Sequence, residues 1–154
     1  NAGGASNDIF TAQFDPENLL MIAIRIAGYG GGGGIARVQF NLDTGTTAYA
    51  WALSDNLAAV TTAVAGVANG INVAQTSITG ARALINMFVR NLPAQVHGVT
   101  IQGNSESEAA ATAPKIVVGS GLWTNTAQIT RVTLNGGGVT LTAGSEICVY
   151  GVQG

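Results

Sequence analysis

The sequence predicts an all-β protein, a jelly-roll-like antiparallel β-sandwich of about eight strands. Three observations predict it. Apolar and polar residues alternate with period two in several separate runs. Turn residues interrupt the chain at intervals of roughly 8–12 residues, the spacing of sandwiches and barrels. Helix-start signals are few. An immunoglobulin-like or galectin-like sandwich fits the same spacing.

The elements follow in order. Residues 1–8 open with Asn1, Ala2, Gly3, Gly4, Ala5 and Ser6, small and polar, without the apolar run of a signal peptide. They read as a flexible arm, with a single sandwich domain from 9 to 154. Residues 8–14 carry Ile9 and Phe14, and Asp15-Pro16-Glu17-Asn18 is a turn with proline at its second position. Residues 19–27 are the most apolar run. Ile22, Ile24 and Ile26 alternate with Ala23, Arg25 and Ala27, which favours a strand over a helix.

Gly28 to Gly34 satisfies the pattern GxGxxG, whose dinucleotide-binding form requires a helix directly afterwards. Here Ala36, Val38 and Phe40 alternate with Arg37, Gln39 and Asn41, so a strand follows. The glycines read as a flexible loop between strands, of a kind that can pack closely on a neighbour's backbone. Asp43 sits at a natural capping position in a turn over 41–45; a calcium site there would need several more oxygen ligands nearby in sequence or space. Tyr49, Trp51 and Leu53 share one face of the next strand. Asp55-Asn56 is a candidate cap for a short helix over 57–60, and 71–78 is extended.

In residues 83–90, Ile85, Met87 and Val89 form one face, with Leu84, Asn86, Phe88 and Arg90 on the other. A turn over 91–94 leads to a strand over 95–101, a polar loop over 103–114 and a strand over 115–123. Residues 128–134 and 139–141 flank Asn135-Gly136-Gly137-Gly138, a hairpin signal, and 147–152 is the last strand. The C-terminal stretch therefore reads as a closing meander. Ile129 is out of phase with Val132 and Leu134, which calls for a bulge or a change of packing. Ile129, Val132, Leu134, Leu141, Ile147 and Val149 are its expected core contribution.

Composition narrows the function classes. Only 9% of the 154 residues are charged, against about 25% in an ordinary soluble domain. A surface so poor in charge suits a chain partly covered by partners. The net charge is −2 and the six basic residues are scattered, so no nucleic-acid footprint exists. No apolar run approaches the ~20 residues of a membrane-spanning helix. The single cysteine, Cys148, excludes an internal disulfide and reads as a buried thiol. One histidine, His97, with no GxSxG elbow gives no hydrolase constellation, and His97 with Cys148 is too small a set for zinc. Neither an enzyme nor a cofactor is expected. Trp51 and Trp123 are candidates for the core, or for a sugar-stacking platform.

Several segments resemble virion structural proteins of tailed bacteriophages. They are Trp123-Thr124-Asn125-Thr126, Ile129-Thr130-Arg131-Val132, Asn135 to Gly138, Ala143-Gly144-Ser145 and Tyr150-Gly151, with Ala27-Gly28-Tyr29-Gly30-Gly31, residues 35–41 and Asp43-Thr44-Gly45 upstream. The likeness spans about residues 26–151, with no match in the middle third. The long glycine run and Cys148 depart from it. The resemblance implies a jelly-roll-like virion protein on the capsid exterior. It implies a decoration (cement) protein, working as a homo-oligomer, a trimer, on the major capsid protein. The contact residues expected are Asn1 to Ser6 in the arm and Tyr29, Gly30, Gly31, Gly32 and Gly33 in the glycine loop. The alternative is a receptor- or glycan-binding domain of a tail or head fibre, which needs Tyr29, Tyr49 or Trp51 exposed.

Overall fold

The structure is a computed structural model that describes residues 4, 6–31, 34–55, 61–63, 68–76, 82–106 and 115–152. Among these residues eleven strands form two antiparallel sheets. In chain order they are β1 (Asp8–Phe10), β2 (Leu19–Ile26), β3 (Gly34–Phe40), β4 (Tyr49–Asp55), β5 (Thr61–Ala63) and β6 (Ile71–Thr76). Then come β7 (Arg82–Arg90), β8 (His97–Glu106), β9 (Lys115–Trp123), β10 (Val132–Asn135) and β11 (Glu146–Val152). One sheet has the order β1-β10-β3-β6 and the other β11-β2-β7-β8-β9-β4-β5.

The winding is that of a jelly roll. The chain steps from sheet to sheet through β1, β2, β3 and β4, and its late strand β10 returns beside β1. Taking the meander β7-β8-β9 as one broadened position, and β11 as an added edge, leaves two sheets of four. The expected count of about eight strands is met at this level of description.

Alternation builds the core. On β2, Leu20, Ile22, Ile24 and Ile26 are buried; on β7, Ala83, Ile85, Met87 and Val89 are. From the smaller sheet, Ala36, Val38, Phe40, Ile71, Val73, Val132 and Leu134 meet them. Gly121 packs directly against Ile71 of the facing sheet. A Cβ there would lie 2.8 Å from Cδ1 of Ile71 on the facing sheet.

The C-terminal stretch differs from the expected meander. β10 lies between β1 and β3, whereas β11 pairs with β2 in the other sheet. Asn135–Gly138 does not reverse the chain into a hairpin. The chain makes an excursion over residues 136–140 and resumes at Leu141, which bridges Ser6 on one side and Tyr29 on the other. Gly137 shows why the signal was ambiguous: its φ is +64°, and a Cβ there would sit 2.0 Å from the Ile35 carbonyl oxygen. The glycines serve a close crossing of β3 as readily as a hairpin.

Residues 128–131 are not a strand either. Asn91 and Asn41 take the place of a ladder: Ile129 N–H donates to Asn91 Oδ1 (2.7 Å), and Thr130 and Arg131 N–H donate to Asn41 Oδ1 (2.9 and 3.1 Å). Ile129 is fully buried all the same, so the phase break is a change of packing. β8 continues to Glu106, beyond its expected end at 101, because Gly103 to Glu106 keep register with β7. Ser6 is hydrogen-bonded to Leu141 through both backbone groups (3.0 and 2.7 Å) and Asp8 begins β1, so these two residues belong to the sandwich, not to an arm. The strand expected over 8–14 ends at Phe10. The helix considered over 57–60 lies outside the described residues.

Candidate interaction surface

The expected contact residues divide into three groups. Asn1, Ala2, Gly3, Ala5, Gly32 and Gly33 lie outside the described residues. Gly4 and Gly30 are exposed, and Ser6 and Gly31 are half-buried. Leu141 brings Ser6 and Gly30 together, since Ser6 docks on one side of it and Gly30 N–H donates to Thr140 O (2.7 Å) on the other. Tyr29 is a correction. It is 2% exposed and belongs to the core, because its bridge to Leu141 fixes the backbone at a sheet end with the ring facing inward. Burial pushes its phenol well above the usual tyrosine range.

The aromatic platform is also inside. Tyr49 and Trp123 are fully buried and Trp51 is half-buried. Tyr49 Oη accepts from Phe40 N–H (2.9 Å) and donates to Asp43 O (3.0 Å). Burial raises its phenol too, opposed by the Phe40 hydrogen bond and assisted by the Asp43 carboxylate. Trp123 Nε1 donates to Asp43 Oδ2 (3.0 Å), while Gly45 N–H donates to Oδ1 (2.9 Å). Asp43 thus holds the core indole. Among the described residues no cluster of three His, Cys, Asp or Glu is placed to hold a metal. His97 is hydrogen-bonded within its strand environment, its two ring nitrogens facing the carbonyls of Arg90 (3.1 Å) and Ala127 (2.9 Å).

The A-G-S step has a structural explanation. Ser145 N–H donates to Thr142 O (3.1 Å), closing a turn with Gly144 at φ +87°. That turn seats the buried Ser145 hydroxyl, which accepts from Ala27 N–H (3.0 Å) at the end of β2.

The surface that stands out is the outer face of the seven-stranded sheet. Register places its side chains in rows across the strands, with neighbouring strands about 4.8 Å apart. One row runs from Tyr150 through Met21 and Phe88 to Thr100 and Ser120. The row beside it holds Cys148, Ala23, Asn86, Gln102 and Val118. The next aligns Arg25, Leu84, Asn104 and Ile116, with Leu84 and Ile116 each 53% exposed. Leu19 and Val152 extend the patch at the opposite end. Cys148 is exposed in this face, not buried, because it shares the outward phase of Tyr150 on β11. The signal for the patch was present in β7, whose outward phase carries Leu84 and Phe88 where a solvated sheet face would carry polar residues.

Three arginines, Arg25, Arg82 and Arg90, stand on the same face. Arg25 reaches Glu146 at 3.5 Å, an exposed pair of little energetic weight. Around the edge, Asp15, Glu17, Phe14, Val149 and Gly151 line a cleft of about 430 Å³ between the β1–β2 connection and β11. The fold is that of a jelly-roll sandwich. No protein-family model, no curated protein and no solved structure matches the chain.

Proposed function

We propose that this chain is a structural subunit of a tailed-bacteriophage particle, a decoration protein that sits as an oligomer on the outside of the head shell and stabilises it. The apolar outer face of the seven-stranded sheet carries the reading. Copies of the chain bury that face against one another, and the end bearing Ser6, Gly30 and Gly31 meets the major capsid protein. Three further features support it: the phage-like segments, the jelly-roll winding and the 9% charged content. Large exposed apolar patches on a small domain mark interaction sites. Cementing requires no chemistry, only burial of surface across shell subunits, which stabilises by about 25 cal/mol per Å² of apolar area removed from water before the costs of association. The fibre reading is the weaker one, since Tyr29, Tyr49 and Trp123 are buried and Trp51 is half-buried.

The test has two parts. Native mass spectrometry of the purified chain is expected to show an oligomer of the 15.5 kDa subunit, and Leu84→Glu with Phe88→Glu to reduce it to monomer. Co-sedimentation with undecorated phage heads is expected to capture the wild type. A wild-type chain that stays monomeric and ignores heads refutes the proposal.

A further inference from the structure

We infer that the free edge of β11 is a strand-acceptor site. An extended segment of the shell protein adds to it, continuing the larger sheet, and seats a large apolar side chain in the cleft beside Phe14. The shell protein as owner of that segment rests on the function proposed above; the site itself rests on the edge and the cleft.

Four strands end the two sheets, β1 and β6 in one, β11 and β5 in the other. An edge strand invites pairing with another chain, and proteins blunt such edges by shortness, bulges, proline or lysine. β1 and β5 have three residues each, and the ladder between β3 and β6 is bulged at Ala36 and Arg37. β11 has seven residues, with no proline, lysine or arginine among them. Its one charge, Glu146, is met by Arg25 of the same chain (3.5 Å). Among the described residues β11 pairs with β2 alone, and no other backbone hydrogen bond reaches it. Alternate N–H and C=O groups along it therefore point outward without a backbone partner.

The cleft lies on the inward side of the same edge. Val149 and Gly151, which line it, share the inward phase of Ile147, and buried Leu20 with half-buried Phe14 completes its apolar lining. A strand added to β11 carries alternate side chains in that phase, so backbone pairing and a side-chain pocket act on one segment. At about 430 Å³ the cleft has room for a large side chain. A second copy that continues the sheet edge to edge has none to give: its Ile147 is buried and its Val149 packs on its own core. Residues 1–6 have none either, since asparagine is their largest side chain. The occupant that fits is an extended segment of another protein with a large apolar residue at one position. The edge also begins beside the end assigned above to shell contact, because Thr142 N–H, shortly before Glu146, donates to Gly28 O (2.9 Å).

The probe is a capped peptide as long as β11, alternating threonine and valine with phenylalanine at its centre, titrated into the wild-type chain. Hydrogen exchange followed by NMR is expected to show alternate amides of Glu146–Val152 slowed at least about tenfold on binding. Glycine in place of the phenylalanine leaves the cleft empty and is expected to weaken binding at least about tenfold. N-methylation of every second peptide nitrogen, made in both phases, is expected to weaken binding as much in one phase and little in the other, since one phase faces β11 and the other faces solvent. Leu84→Glu with Phe88→Glu, two strands away on β7, is expected to leave peptide binding unchanged. Unslowed amides, or binding indifferent to both methylation patterns, overturn the strand site. So does protection of the same amides by raised protein concentration without peptide, which gives the edge to a second copy. Excess phenylalanine peptide is also expected to block co-sedimentation with undecorated phage heads; capture that persists with the peptide bound overturns the shell protein as owner. A wild type that ignores heads refutes the proposed function, while the exchange data still decide the edge.

Discussion

The imidazole of His97 is stacked on the indole of Trp123, with ring centroids 5.1 Å apart and planes 28° from parallel. Both rings are fully buried. The stack ties the start of β8 to the end of β9, and the two ring nitrogens reach the carbonyls of Arg90 and Ala127. Replacing His97 with alanine leaves a cavity against the indole and removes a partner from the Arg90 and Ala127 carbonyls. We expect His97→Ala to lower unfolding free energy by about 2–4 kcal/mol. Urea titration followed by tryptophan fluorescence checks this, and a change under 1 kcal/mol contradicts it.

Leu42 holds a left-handed backbone, φ 61°, directly after Asn41 at φ 52°. Asp43 N–H donates to Phe40 O (2.8 Å) across the pair, which makes a tight turn of the kind that asparagine followed by glycine satisfies. The Leu42 side chain is exposed, so little packing is lost by removing it. Relief of the left-handed strain outweighs the added freedom of the unfolded chain. Leu42→Gly is expected to stabilise the protein by about 0.5–1 kcal/mol, read as a higher Tm.

The close approach of the sheets at Gly121 and Ile71 supports a double-mutant test. Gly121→Val places methyl groups where Ile71 now sits and is expected to cost about 2–3 kcal/mol. Ile71→Ala alone costs about 2–4 kcal/mol through its cavity. Combined, they are expected to cost at least 1 kcal/mol less than the sum. Strict additivity would show that the valine is accommodated by moving backbone.

Tyr29 and Tyr49 set the alkaline limit of the fold. Burial raises both phenols above their unfolded value, about 10. Their contribution to stability is full below that value and is lost as pH rises above it, because the unfolded chain ionises first. Thermal melts between pH 7 and 11.5 are expected to show a flat Tm up to about pH 10 and a fall beyond it. Two of the three tyrosines are expected to gain phenolate absorbance only with unfolding. A smooth titration of all three in folded protein contradicts the burial.

Periodicity made β2, β3, β4 and β7 legible, because alternation reports which side chains face the core. It does not report which sheet a strand joins. That is why β10 and β11, adjacent in sequence, looked like neighbours in space. The stretch from Thr124 to Arg131 was illegible for another reason. Its backbone is held by the side chains of Asn41, Asn91 and His97, long-range partners with no local signature. Tyr29 amid glycines looked like a loop tip; only its bridge to Leu141 turns it inward. The outer sheet face was half legible, since Leu84 and Phe88 were visible on the outward phase but their alignment with Tyr150, Met21 and Ile116 needed the register.

The position of β10 between β1 and β3 carries a consequence for how the molecule is made. During synthesis β1 and β3 emerge first, and their shared partner, Val132–Asn135, follows some ninety residues after β3. Until then both present unpaired backbone edges to anything nearby. β2 likewise waits for Glu146–Val152. A growing chain is expected to keep both sheets incomplete until Glu146–Val152 has left the ribosome. Its yield in a cell should therefore depend more on chaperone supply than on the speed of translation.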